Sequence, residues 1–276
     1  MYSIKIDNLD LGQIAASGQC FRMNYVGKGT YSIVAFGKYL EVSQSLNTLI
    51  FSCDEAEYQE IWKEYFDIET DYVAIKSNTD ITDEFLQKSI QYGCGIRILK
   101  QDMWEMLVTF IISQRKSIPA IKKCVEILCQ KYGEQITGDG LNDDKPVIDY
   151  AFPTPKKIAE LSIEELRACG LGYRDVYVAG AATWFIQKYP IYQKQMETYT
   201  IAKSLLMKIN GVGTKVSNCI CLFALHQLEA CPIDVWMQKI IDDNYKGIMP
   251  SWMVSDKAGV LQQYAFYYKK STKIYK

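Results

Sequence analysis

The sequence predicts an α+β fold, with an antiparallel β-sheet domain over about residues 1–75 and a mostly helical region over 76–276. Three observations predict it. Short runs of β-branched and aromatic residues, broken by glycine, dominate the first part of the chain. Helical spacing of apolar residues sets in at about residue 80 and continues to the C-terminus. No internal repeat or low-complexity linker separates the two parts.

The elements follow in order. The run GTYSIVAFGKYLEVSQ and the shorter NTLIFSC read as strands, and DEAEYQEIWKEYF as a short amphipathic helix. DEFLQKSIQYG is the next helix. DMWEMLVTFIISQ is apolar nearly all round, which predicts a buried helix. SIPAIKKCVEILCQKYG is amphipathic, and its proline falls in the first turn, where a missing N–H costs nothing. TPKKIAELSIEELRACG carries two helix starts and ends at Gly170. YRDVYVAGAATWFIQKY, YTIAKSLLMKI, GTKVSNCICLFALHQ, DVWMQKIIDDNY and SDKAGVLQQYAFYYKKS complete the helical region.

Composition bounds the function. The 276 residues are 49% hydrophobic and 23% charged, which is ordinary for a globular chain with a sizeable core. The net charge of -1 does not announce a polyanionic partner. Local gathering of charge matters more. Arg115, Lys116, Lys122, Lys123 and Lys131 lie close in sequence, as do Lys269, Lys270, Lys273 and Lys276, while acids gather at Asp54, Glu55, Glu57 and Glu60. Such clusters are either solvated faces or a nucleic-acid footprint. MYSIKIDNLDLGQ lacks the pattern of a signal peptide, so the expected location is the cytoplasm, with the nine cysteines reduced. His226 is the only histidine, Cys219 and Cys221 are spaced unlike a zinc knuckle, and no cysteine follows Cys231. No metal site, and no redox or organic cofactor, is expected.

The most informative stretch is LLMKINGVGTKVSNCICLFALHQLEACPIDVWMQKII, read as helix, Gly-x-Gly turn, helix, loop, and an Asp at a helix start. Gly211 and Gly213 permit backbone angles that other residues resist, and they let a phosphate approach bare amides at the start of the next helix. A glycine-rich helix corner is the plainer reading. Lys215 sits in the first turn of that helix, whose positive end disfavours an ammonium and favours the free amine of a nucleophile. Cys219, four residues on, shares its face. Asp234 reads as an N-cap or as a catalytic carboxylate.

The pattern GVGTK…C…PIDV resembles the helix-hairpin-helix glycosylase superfamily, and GVGTKVSNCICLFAL…PIDV resembles its 8-oxoguanine DNA glycosylase branch, bacterial type. The resemblance covers nearly the whole chain and puts the hairpin at about 201–226. It implies that Lys215 attacks the anomeric carbon and that Asp234 stabilises the cationic transition state. A Schiff base would follow, then strand cleavage by β-elimination. SGQCFRM is similar to the segment that reads the oxidised base, with the Gly18 carbonyl accepting the N7–H of 8-oxoguanine. Guanine would face that carbonyl with a lone pair instead. AGVLQQYAF is similar to the pocket helix, with Gln262 on the Watson–Crick edge of the base and Phe266 stacked on its face, opposite Cys219. LGLGYRDVYV is similar to the wedge, with Tyr173 entering the stack and Arg174 meeting the orphaned cytosine. A monovalent cation on the carbonyls of Met207, Ile209 and Val212 is compatible with the hairpin. The implied partner is duplex DNA containing 8-oxoguanine, bound by a monomer at the bacterial nucleoid, away from membranes.

Two positions depart from the family pattern. Arg115 and Ala120 stand where eukaryotic relatives place an asparagine and an arginine against the cytosine, and Trp236 stands in place of a phosphate-binding histidine. Two rival functions remain at this point: a glycosylase of the same fold for another purine lesion, which needs no Lys215, and a non-catalytic hairpin module, which has no use for Lys215 and Asp234 together.

Overall fold

The computed structural model describes residues 1–141 and 145–273. Lys276 of the C-terminal basic cluster lies outside the described residues, as does the side chain of Lys273. Strands β1 (Tyr2–Lys5), β2 (Met23–Gly27), β3 (Thr30–Ala35), β4 (Lys38–Ser45) and β5 (Thr48–Phe51) form one antiparallel sheet in the order β1-β5-β4-β3-β2. Its inner face is covered by the helical path over 55–65, whose middle turn, Tyr58–Trp62, is a π-helix. Trp62, Tyr65 and Phe66 fill the sheet's core with Leu40, Leu49 and Phe51.

Several elements depart from the sequence reading, among them the short helices Tyr72–Ser77 and Tyr189–Tyr192. Residues 11–16 form a helix, Leu11–Ala16, where strands and turns are expected. Asp10 caps it through the Gln13 amide at 2.9 Å, and it buries only Leu11 and Ile14, too few positions for a periodic signal. A second hairpin, β6 (Gln135–Gly138) with β7 (Val147–Tyr150), interrupts the helical region. The buried guanidinium of Arg22 donates to the Tyr150 carbonyl at 2.6 Å and so ties this hairpin to the sheet domain.

The helical region packs around Met103–Ile112, all ten of whose residues are buried. Asp102 caps its start, accepting from the Glu105 amide at 2.8 Å. Near its end Phe110 stacks on Phe223, centroids 5.5 Å apart, joining the buried helix to the helix Thr214–Phe223. The two parts of the molecule interlock: Phe21 and Tyr72 pack in the helical core, and Leu99 packs in the core of the sheet. No helix among the described residues is long and apolar enough to cross a membrane.

Candidate active site

The hairpin is built by helices Tyr199–Leu206 and Thr214–Phe223 around the turn 207–213. Gly211 has φ +85°, and a Cβ there would lie 2.6 Å from Tyr177 Cγ, so both conformation and space demand glycine. Gly213 meets neither demand: nothing lies within 4 Å of where its side chain would be. It is the N-cap of the second helix and has no side chain to offer, and the first helical bond is Ser217 N to the Gly213 carbonyl at 2.9 Å. The first amides of the helix that it caps have no intrahelical carbonyl to bond and sit at the helix's positive end, an arrangement suited to an anion. The Ile209 carbonyl, one of the three suggested for a cation, accepts from the Val212 amide at 3.0 Å. No group of three or more His, Cys, Asp or Glu suited to a metal occurs among the described residues.

Lys215 is half-buried, its Nζ 5.1 Å from the centre of the Phe110 ring. Cys219 is fully buried beside it. Burial pushes the Cys219 thiol up, the Lys215 charge and a hydrogen bond from it pull the thiol down, and the Asp234 charge pushes it up. The three groups therefore share one electrostatic environment. Asp234 is half-buried and caps the helix Val235–Tyr245, its Oδ1 accepting from the amides of Trp236 and Met237, both at 2.9 Å. The capping role is real, and both of these bonds fall on one oxygen of the carboxylate, Oδ1.

Gly18, Ile118 and Phe266 meet although they are far apart in sequence. Gly18 has φ +82°, and a Cβ there would lie 3.2 Å from Ile118 Cδ1 and 3.4 Å from Phe266 Cε1. The neighbouring Gln19 anchors this turn: its side chain donates to the Arg97 carbonyl at 2.9 Å and accepts from the Leu99 amide at 2.7 Å. Gln262 is 3% exposed, with Oε1 accepting from Gln263 Nε2 at 2.9 Å. Ile118 and Gln263 carried no signal in the sequence beyond helical spacing.

Tyr173 is 52% exposed, as a wedge requires. Arg174 is 6% exposed and turned inward. It donates to the carbonyls of Leu171, at 3.1 Å, and Gln114, and its guanidinium lies 4.3 Å from the centre of the Tyr173 ring. Arg115 is exposed, with φ +53°, and lines a cleft of about 750 Å³ with Gln114, Tyr173, Tyr177 and the hairpin turn. Gln114, which sequence reasoning passed over, bridges the two: its Nε2 donates to the Gly211 carbonyl at 3.1 Å. Ala120 is half-buried and offers no donor. Within the basic clusters, Lys116 is bonded to the Gly170 carbonyl at 2.8 Å, Lys122 to the Met23 carbonyl at 2.9 Å, and Lys269 to Asp243 at 2.9 Å.

Comparison with known proteins gives the family. Residues 1–107 match the family model described as 8-oxoguanine DNA glycosylase, N-terminal domain, and residues 108–246 that of the HhH-GPD superfamily base excision DNA repair proteins. The chain is 33% identical over 165 residues to an N-glycosylase/DNA lyase of Saccharomyces cerevisiae, a stretch covering 55% of this chain and 42% of that protein. It is 26% identical over 202 residues to a probable N-glycosylase/DNA lyase of Methanothermobacter thermautotrophicus, covering 66% of this chain and 61% of that protein. The chain thus matches about half of the length of these curated relatives. Its fold is similar to that of the Clostridium acetobutylicum 8-oxoguanine glycosylase/lyase in complex with DNA containing cytosine opposite 8-oxoguanine, with TM-score 0.88, 31% identity and 99% of each chain covered. The chain belongs to the HhH-GPD superfamily of base excision DNA repair proteins and carries the N-terminal domain of its 8-oxoguanine glycosylases.

Proposed function

We propose that this protein excises 8-oxoguanine from duplex DNA and then cleaves the strand, with Lys215 as covalent nucleophile and Asp234 as its carboxylate partner. The observation that carries the reading is that Lys215, in the first turn of the hairpin helix, and Asp234, capping the next helix, both act electrostatically on the buried Cys219 thiol between them in sequence. A plain DNA-binding hairpin needs the open amides and has no use for the lysine and the carboxylate beside them.

In this mechanism the hairpin amides hold a backbone phosphate without reading sequence. The lesion is flipped out of the stack, at a cost of a few kcal/mol. The Gly18 carbonyl accepts N7–H, Gln262 meets the Watson–Crick edge, and Phe266 and Cys219 enclose the two faces. The free amine of Lys215 attacks C1′ as the C1′–N9 bond breaks, and the base departs with the bonding electrons. The Asp234 carboxylate stabilises the positive charge that develops on the sugar. The amine adduct opens the sugar to a Schiff base, and loss of a 2′ proton expels the 3′ phosphate. Such an enzyme works as a monomer wherever the chromosome lies, here read as a bacterial nucleoid.

The test is trapping. Incubation with borohydride and a duplex bearing 8-oxoguanine should yield a covalent adduct on Lys215, and Lys215→Gln should bind the duplex but neither excise nor trap. Substantial excision by Lys215→Gln would refute the covalent mechanism.

A further inference from the structure

Asn218 lies three residues after Lys215 and is buried. Its side chain joins elements that carry the two proposed catalytic groups. Nδ2 donates to the Cys231 carbonyl at 3.0 Å, and Oδ1 accepts from the Tyr199 hydroxyl at 3.0 Å. Cys231 is followed by Pro232, and Asp234 comes three residues after Cys231. The proline ring fixes one backbone angle of this short link, so the position of the Cys231 carbonyl is passed on to the carboxylate.

The orientation of the amide is also determined. Lys203 donates from Nζ to the Tyr199 hydroxyl oxygen at 3.2 Å. An ammonium has donors only, so the tyrosine oxygen must accept and its single proton is left for Asn218. Asn218 must then turn its oxygen to Tyr199 and its NH₂ to Cys231. The chain of donors runs in one direction: Lys203, Tyr199, Asn218, Cys231 carbonyl. Hydrogen bonds aligned in this way polarise and strengthen one another in a buried setting.

We propose that Asn218 is a positioning residue that holds the Asp234 loop at a set distance from the Lys215 helix, with Lys203 and Tyr199 completing the donor chain behind its amide. The proposal rests on the roles given to Lys215 and Asp234 above. It separates two readouts. Base excision needs the lysine and the carboxylate in register. Trapping on a preformed abasic site needs the amine, because the base has already gone.

The informative variant is Asn218→Asp, which keeps size and still accepts from Tyr199 but sets an acceptor against the Cys231 carbonyl. Three quantities are measured: single-turnover excision of 8-oxoguanine, borohydride trapping on a preformed abasic duplex, and affinity for lesion duplex. Excision should fall roughly tenfold to a hundredfold, the scale on which small misplacements act. Trapping and affinity should stay within about threefold, since the lysine and the phosphate contacts are untouched. Wild-type excision by Asn218→Asp overturns the proposal, and so does a parallel loss of excision and trapping. Lys203→Met is the second variant, half-buried on the first hairpin helix and outside the proposed machinery. It removes the charged donor at the head of the chain and should lower excision about two- to fivefold with trapping unchanged; no change in excision overturns the relay. A wild-type protein that traps nothing refutes the Lys215 reading itself, a result distinct from one in which both wild type and Asn218→Asp excise and trap alike.

Discussion

Phe266 approaches Gly18 so closely that a side chain at residue 18 would lie 3.4 Å from the ring, and 3.2 Å from Ile118 on its other side. The turn that carries the proposed base-reading carbonyl is thereby clamped between the C-terminal helix and the start of the helix Ile118–Tyr132.

The first prediction follows from that clamp. Gly18→Ala places a Cβ at φ +82° between two apolar neighbours. The left-handed backbone alone costs about 1–2 kcal/mol for a residue with a Cβ. The variant should melt earlier and excise 8-oxoguanine poorly, while still trapping on a preformed abasic site. Wild-type stability and excision by Gly18→Ala would show that the turn tolerates a side chain at residue 18 and would overturn the clamp.

The second concerns the carboxylate. In Asp234→Asn the amide oxygen can still accept from Trp236 and Met237, so the helix cap survives. The negative charge facing the developing cation does not. Thermal unfolding should shift little, and the single-turnover rate should fall by roughly a hundredfold or more. A folded Asp234→Asn with the wild-type rate would reduce Asp234 to a cap.

The third concerns the opposite strand. Cytosine presents acceptors that suit arginine, yet Arg174 is turned onto the carbonyls of Leu171 and Gln114, and Ala120 has no donor. A missing bidentate contact is worth about 1–3 kcal/mol of discrimination. The protein should therefore prefer cytosine less sharply than eukaryotic relatives, by roughly tenfold, when excision is compared opposite cytosine, adenine, guanine and thymine. Strict cytosine specificity would point to Arg115, which is exposed in the same cleft, and Arg115→Ala should then relax it.

The fourth concerns pH. Glu105 is buried, and burial pushes its carboxyl up to about 7 despite the opposing pull of Arg22. Its folded value lies above its unfolded value near 4.5, so its contribution is full below the unfolded value and is lost as pH rises toward 7. Wild type should lose stability relative to Glu105→Gln between about pH 4.5 and pH 7, with a constant difference above that window. Parallel melting temperatures for the two proteins across that range would show that burial does not raise the Glu105 carboxyl above its unfolded value.

The sequence by itself determined the division into a sheet part and a helical part, most of the helices, and where the helix-hairpin-helix lies. Periodic burial and glycine placement are local properties, so the buried helix Met103–Ile112 and the turn at Gly211 are legible from spacing alone. The capping geometry of Asp234 is equally local. The helix at 11–16 and the β6–β7 hairpin were not legible, because each has few buried positions and is held by distant partners such as Arg22. Tertiary structure alone decided how Gly18, Ile118 and Phe266 meet, why Arg174 faces inward, and how Asn218 links Lys215 to the loop of Asp234. These relations depend on which donors and acceptors remain after the backbone has closed on itself. Spacing along one chain specifies neighbours on a helix or strand, and it carries no record of the partners that packing brings from elsewhere.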